Sequence, residues 1–294
     1  MFAFASKSHC RKILSDTHKP HRYRILPNEG KLMVSTDLHG NAEDFFALRD
    51  RFLSLFSLDS HSHWVILGDL VHAPNAASRS EYPQLYDYGD GSIEIVQAVS
   101  DLIATYPERI HFVLGNHDHA HIGGPRTAKF YPDEAAQLES SLTSTQITTL
   151  HTLFQSALLA ISTTSGLFLS HGAPGIELDS ISEINDLPLN QSLWTPQQHC
   201  IFEHLLGSYG QPPEKADLFL LRISKLTGIK HTIIIHGHDR DEDGFFTEGH
   251  NQCCPCIFGS PKYKKSYLLL DLASYYRDVS QIRRGIELFY LHSN

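Results

Sequence analysis

The chain has 294 residues, 41% hydrophobic and 19% charged, the balance of a globular protein long enough to bury one large core. A formal charge of −9 argues against a nucleic-acid partner, because phosphate backbones are bound by an excess of Lys and Arg, and no apolar run approaches the length of a membrane span. Five Cys, odd in number and irregularly spaced, predict no disulfide framework and a reducing, cytoplasmic setting, whereas twenty His are an unusual supply of a side chain suited to metals and proton transfer.

Residues 1–30 read as a basic, loosely structured lead-in. Its apolar patch precedes the basic residues, the reverse of an export signal. The rest, 31–294, reads as one domain. Five short apolar runs follow: KLMVSTD (31–37), HWVILGD (63–69), IHFVLGN (110–116), GLFLSH (166–171) and TIIIHGH (232–238). Their Val, Ile, Leu and Phe content predicts strands covered on both faces. Amphipathic segments lie between them, AEDFFALRDRFLSLF after the first run, GSIEIVQAVSDLIATY after the second and DEAAQLESSLTSTQITTLHTLFQSALL after the third. Strand, helix, strand implies a layered α/β fold. The stretch 75–90 has no periodicity and reads as a surface insertion loop, and CPCIFGSPKYKKSYLLLDLA reads as two further strands around Gly259-Ser260-Pro261.

Each of the five runs ends on groups that ligate metals: Asp37 and His39, Asp69, Asn116 and His117, His171, and His236 and His238. Sites in α/β sheets form at the carboxyl ends of strands, so these residues are expected to converge. Imidazole, carboxylate and amide oxygen suit manganese, iron or zinc, and a shared carboxylate lets such a set hold two ions about 3.5–4 Å apart.

The order DLHG, GD, GNHD, HG and GH resembles the calcineurin-like metallophosphoesterases, a fold of layered mixed β-sheets flanked by helices. YPERIHFVLGNHD, FQSALLAISTTSGLFLSHGAPG and HGHDRDEDGFF with IFGSPKY are similar to segments of the Ser/Thr protein phosphatases within it, over Lys31 to Leu272. The resemblance implies a dinuclear hydrolase of phosphomonoesters, acting on phosphoserine and phosphothreonine in proteins. It implies that Asp37, His39 and Asp69 hold one divalent ion, and that Asp69, Asn116, His171 and His238 hold the other. His236 is left as a further ligand, a support for one, or an inward strand histidine. A water acidified by the ions would attack phosphorus, and His117 would protonate the leaving group. Tyr263 matches the family's tyrosine beside the metals, and Trp194 falls where bacterial members carry Trp-Ser-Asp-Pro. Rival readings are a small-molecule or dinucleoside polyphosphate hydrolase and a metal-binding regulatory protein with little turnover.

The chain departs from the pattern after its second motif. GDLVHAP places His72 where an aspartate orients the acid histidine, and Ala73 where an arginine grips phosphate; Leu114 replaces the arginine before GNH. Arg79, in the insertion, and Arg126 are the expected substitutes. His72, as an imidazolium, would repel a protonated His117. His250, Cys253, Cys254 and Cys256 read as strand surroundings, not a zinc site, because adjacent thiols on a strand face opposite ways. Asp133 and Glu134 read as an ordinary helix start.

Overall fold

The computed structural model describes residues 21–292. It contains two mixed sheets. One has five strands in the order β11-β10-β2-β3-β4, the other six in the order β1-β5-β6-β7-β9-β8. The strands are β1 (Tyr23–Leu26), β2 (Lys31–Thr36), β3 (His63–Leu67), β4 (Ile110–Val113), β5 (Ala160–Thr163), β6 (Leu167–Leu169), β7 (Ile233–Ile235), β8 (Phe245–Glu248), β9 (Gln252–Pro255), β10 (Ser266–Asp271) and β11 (Leu288–Tyr290). All five expected runs are strands. The chain thus has the mixed α/β architecture, two sheets flanked by helices, that its motifs imply.

The two-residue side-chain period explains why these strands are apolar throughout. In β2 and β3, Leu32, Val34, Val65 and Leu67 face the other sheet and pack with Ile161, Leu167, Leu169, Ile233 and Ile235. The alternate residues Met33, Trp64 and Ile66 face the helices. Trp64 is fully buried against Phe45 and Phe52 of α1 (Ala42–Leu58), with ring centroids 5.9 and 5.8 Å away, and its indole N–H donates to Ser35 Oγ at 2.9 Å.

Helices α4 (Ser92–Thr105), α6 (Glu134–Glu139) and α7 (Ser144–Ser156) occupy the expected segments, and the single turn α5 (Asn116–His119) follows β4. The third amphipathic segment is broken in two because Thr143 and Gln146 form a capping box that starts a new helix.

Two expectations need correction. Part of the lead-in is ordered: β1 pairs parallel with β5, Tyr23 and Leu26 are buried, and Tyr23 Oη donates to Ser162 Oγ at 2.6 Å. Four residues between polar neighbours are too few to signal a strand whose partner lies more than a hundred positions away; residues 1–20 lie outside the described ones. The insertion 75–90 is not plain loop. Asn75 caps α2 (Ala76–Glu81), α3 (Pro83–Tyr86) follows, and the buried Tyr86 stacks on Phe258 at 5.1 Å. The two strands expected around Gly259-Ser260-Pro261 are β9 and β10; β9 joins β7 and β8 whereas β10 joins β2 and β11. The turn between them carries the chain from one sheet to the other.

Candidate metal centre

The residues after β2, β3, β4, β6 and β7 converge at one end of the two sheets. Backbone bonds tie the first two connections together: Asp37 N–H donates to Gly68 O at 3.2 Å, His39 N–H to Asp69 O at 2.9 Å, and Gly40 N–H to Leu70 O at 2.8 Å. Asp37, His39, Asp69, His72 and His238 all have positive φ, between 43° and 72°, a region that residues with side chains seldom occupy. Four of these five are strand-end residues of the expected ligand set, and such strain persists where surrounding contacts over-determine it. Glycine serves here as space more than as a hinge. A Cβ on Gly115 would lie 2.2 Å from Asp69 Oδ1, and one on Gly237 would lie 2.1 Å from Thr36 Oγ1.

Asp69 stands in the middle. Its Oδ2 is 3.5 Å from His39 Nε2 and 3.4 Å from His171 Nε2, and its Oδ1 accepts His117 N–H at 2.9 Å. Asp37 Oδ1 is 3.8 Å from His39 Nε2; Oδ2 accepts His238 N–H at 3.0 Å and also the Thr36 hydroxyl. Asn116 Oδ1 lies 3.0 Å from His171 Nε2, and the rings of His171 and His238 are 5.4 Å apart. Asp118 holds the assembly, accepting Asp69 N–H and Gly115 N–H on Oδ2 and Leu70 N–H on Oδ1. The sequence motifs alone do not single out Asp118, although its place directly after the Asn-His pair is a usable signal.

The donor chemistry fits divalent ions. His39 Nδ1 donates to Val71 O at 3.2 Å, and His171 Nδ1 donates to Leu67 O at 2.6 Å; each bond leaves Nε2 as the ring nitrogen directed at Asp69. His39 Nε2 is buried with no hydrogen-bond partner among the described residues. Burial holds His238 neutral, with the charge of His171 adding to the effect, and lowers it to about 3. For His171 burial acts in the same sense, but Asp69 and then Asp37 outweigh it and raise it to about 10. The two carboxylates therefore favour positive charge at this point. His236 is fully buried, its Nδ1 is 2.9 Å from Gly237 O and 3.6 Å from Asp239 Oδ2, and its Nε2 has no hydrogen-bond partner among the described residues.

Beside the cluster lies a chain of imidazoles. His117 Nδ1 is 2.9 Å from His72 Nδ1, His72 Nε2 is 2.9 Å from His121 Nε2, and His121 Nδ1 is 2.7 Å from Glu139 Oε1. The tautomers follow from the outer end. Glu139 accepts a proton-bearing Nδ1 from His121, so His121 Nε2 accepts from His72, and His72 Nδ1 accepts from His117. Burial first, then the neighbouring His117 and His121, lower His72 to about 3. Neutral His72 is therefore an acceptor for His117, not the repelling imidazolium expected from its position. Glu134 completes the support. It is 1% exposed, its Oε1 accepts Phe130 N–H at 2.9 Å, and its Oε2 lies 3.3 Å from His117 Nδ1. Burial would push its carboxyl up, but the contact with His117 outweighs that and holds it at about 2. So Glu134 is more than a helix start. Only folding shows that the first turn of α6 points inward.

The expected substrate-side residues scatter. Arg79 Nη1 donates to Tyr88 O at 3.1 Å within its own insertion. Arg126 pairs with Asp133 at 3.1 Å and lines a cavity of about 370 Å³ that also touches Asn116, Trp194, Phe202 and Leu206. Tyr263 is 68% exposed. Cys253, Cys254 and Cys256 are buried free thiols, and His250 pairs with Asp217 at 3.4 Å. A larger cavity, about 510 Å³, is lined by Lys31 and Asp271 at the opposite end of β2 and touches none of this chemistry.

Residues 30–240 match the family of calcineurin-like phosphoesterases, and the chain belongs to that family, whose members use divalent metal ions. Among solved structures it is similar to a protein serine/threonine phosphatase from Saccharomyces cerevisiae, with 17% identity over 86% of this chain and 77% of that one and a TM-score of 0.59. It is also similar to a cold-active protein-tyrosine phosphatase of a psychrophilic Shewanella species, with 15% identity over 85% and 77% of the two chains and a TM-score of 0.52. No curated protein matches the sequence. No helix among the described residues is long and apolar enough to cross a membrane.

Proposed function

We propose that the protein is a metal-dependent phosphomonoesterase that removes phosphate from phosphoserine and phosphothreonine in proteins. Asp37, His39 and Asp69 would hold one divalent ion, and Asp69, Asn116, His171 and His238 the other. The observation that carries this reading is the pair of oriented imidazole nitrogens, Nε2 of His39 and Nε2 of His171, facing the single carboxylate of Asp69. When bound, the ions supply an acidified water and neutralise charge on the phosphoryl group. The chain's residues do the rest. Asp69 sits between the two ligand sets, and the backbone N–H of His117 fixes its free oxygen. His117 donates a proton to the departing oxygen, while His72 and Glu134 hold its Nδ1 side. Arg126, Trp194 and Phe202 wall the cleft next to Asn116, where the leaving group would lie.

The protein-substrate assignment is supported by the segments similar to the Ser/Thr phosphatases, IFGSPKY among them, and by the cleft beside Asn116. Steady-state kinetics over a panel should give higher kcat/KM for phosphoserine or phosphothreonine peptides than for phosphotyrosine peptides or dinucleoside polyphosphates. A preference for a dinucleoside polyphosphate would replace this assignment with the small-molecule one.

Glu134 is a positioning residue in this scheme. Glu134→Gln should lower kcat roughly 10-fold while KM and metal content stay unchanged, as expected for a group that acts through another in the transition state. An equal fall in thermal stability and KM, with kcat retained, would assign Glu134 to structure alone.

A further inference from the structure

We propose that Lys129 and Arg240 form the anion-binding side of the site and hold the non-bridging oxygens of a dianionic phosphoryl group; the inference rests on the phosphomonoesterase reading above. Phe258 places them. Its ring lies 4.1 Å from the ring of His39, the Lys129 ammonium lies 4.2 Å from its centroid, and the Arg240 guanidinium carbon lies 5.9 Å from it. Arg240 follows His238 by two positions, and Gly259 leaves room for it, since a Cβ there would meet Arg240 Cδ at 2.6 Å.

The charge of Lys129 reaches both halves of the cluster. It disfavours the charged forms of His39 and His238, and it is itself drawn by Asp69, Asp37 and Glu134. Lys129 keeps solvent access, yet crowding by protein first, and the like charge of Arg240 second, bring its ammonium down to about 8.

What marks the pair is the partners they lack. Arg79 donates to Tyr88 O, Arg126 pairs with Asp133, and Arg222 pairs with Asp179 at 2.8 Å. Among the described residues, Lys129 and Arg240 make no hydrogen bond or ion pair. Both are exposed, so a ligand can reach them. The face of Phe258 stabilises one cation, but it does not offset the repulsion of a second cation beside the first. An anion shared between them does. Lys offers a compact point charge and Arg a planar fork, and together they suit an oxygen-rich tetrahedral anion where Ala73 and Leu114 carry no charge. Two cations added to the metal ions favour a dianionic monoester over a monoanionic diester, which narrows the substrate class.

The test is calorimetric titration of the metal-loaded protein with inorganic phosphate, alongside kinetics with a phosphomonoester and elemental analysis. K129M and R240M should each weaken phosphate binding roughly 10-fold, and the double variant roughly 100-fold, the size of charge-assisted contacts. K129R should stay within about 3-fold of wild type, and metal content should be constant. Wild-type phosphate affinity in a folded double variant overturns the proposal, as does a wild-type protein that binds no phosphate. Phosphate binding lost in the double variant, with no hydrolysis by the wild type, keeps the anion site and removes the phosphatase reading instead.

Discussion

Asp69→Asn should lose at least one metal ion per chain and more than about 10³-fold of phosphatase activity, beyond the 10–100-fold that changing an outer partner of a metal ligand costs. The substitution keeps the shape and removes one negative charge and one coordinating oxygen. Oδ2 is the atom within 3.5 Å of both His39 Nε2 and His171 Nε2, so it is the atom placed to serve both ligand sets. The amide can still present an oxygen to His117 N–H, the bond that Asp69 Oδ1 accepts at 2.9 Å, so the fold should survive. Circular dichroism and elemental analysis of the purified variant separate the two effects. An active wild-type enzyme that carries only one ion at saturation would defeat the two-ion assignment.

A second large effect is expected at His117. His117→Asn should lower turnover of alkyl phosphates on the order of 10²–10⁴-fold, the range of a lost general acid. It should cost much less with nitrophenyl phosphate, because that leaving group departs without a proton. Both ions should stay bound, since the ligand set does not include this side chain. The surroundings of the imidazole suit the acid role. Its Nδ1 faces His72 at 2.9 Å and Glu134 at 3.3 Å, and its ring meets His39 edge-on at 4.7 Å. Equal losses on the two substrates would take the acid role from His117.

The electrostatic logic of these two predictions joins at the carboxylates. Buried acids without ions are costly, and the chain answers by concentrating them where cations are expected, with Asp118 committed to backbone N–H groups and Glu134 to His117. Burial pushes Asp118 up to about 7, with the nearby charge of Asp69 adding to it. Its bonds to three backbone N–H groups are what position the loops after β3 and β4.

The convergence of Asp37, His39, Asp69, Asn116, His171 and His238 is legible in the amino-acid sequence. Each directly follows, or nearly follows, an apolar strand, and the strands of an α/β layer deliver their ends to one edge. That is local information: an apolar run that stops at a small or polar residue, then an expected ligand. The same local rule finds α1 and α4 from their apolar spacing and the two-sided burial of β2 and β3. It also places His117 beside the ligands, because it is the next residue after Asn116.

The supporting residues depend on contacts between positions far apart in the chain. His72 reads as a charged intruder because sequence cannot show that His121 and Glu139 complete a chain of hydrogen bonds behind it. Glu134 reads as a helix start because a carboxylate in a first turn is usually solvated; here the turn faces His117. The insertion suggests Arg79, yet what it brings beside the site is Tyr86, packed on Phe258, while the cations over that ring come from segments after the third and fifth motifs. The strand-end residues proposed as ligands are placed by short-range pattern, since a strand and its next residues move as one unit. Second partners and counter-charges are chosen by which loops meet across the sheet edge, and only the tertiary structure decides that.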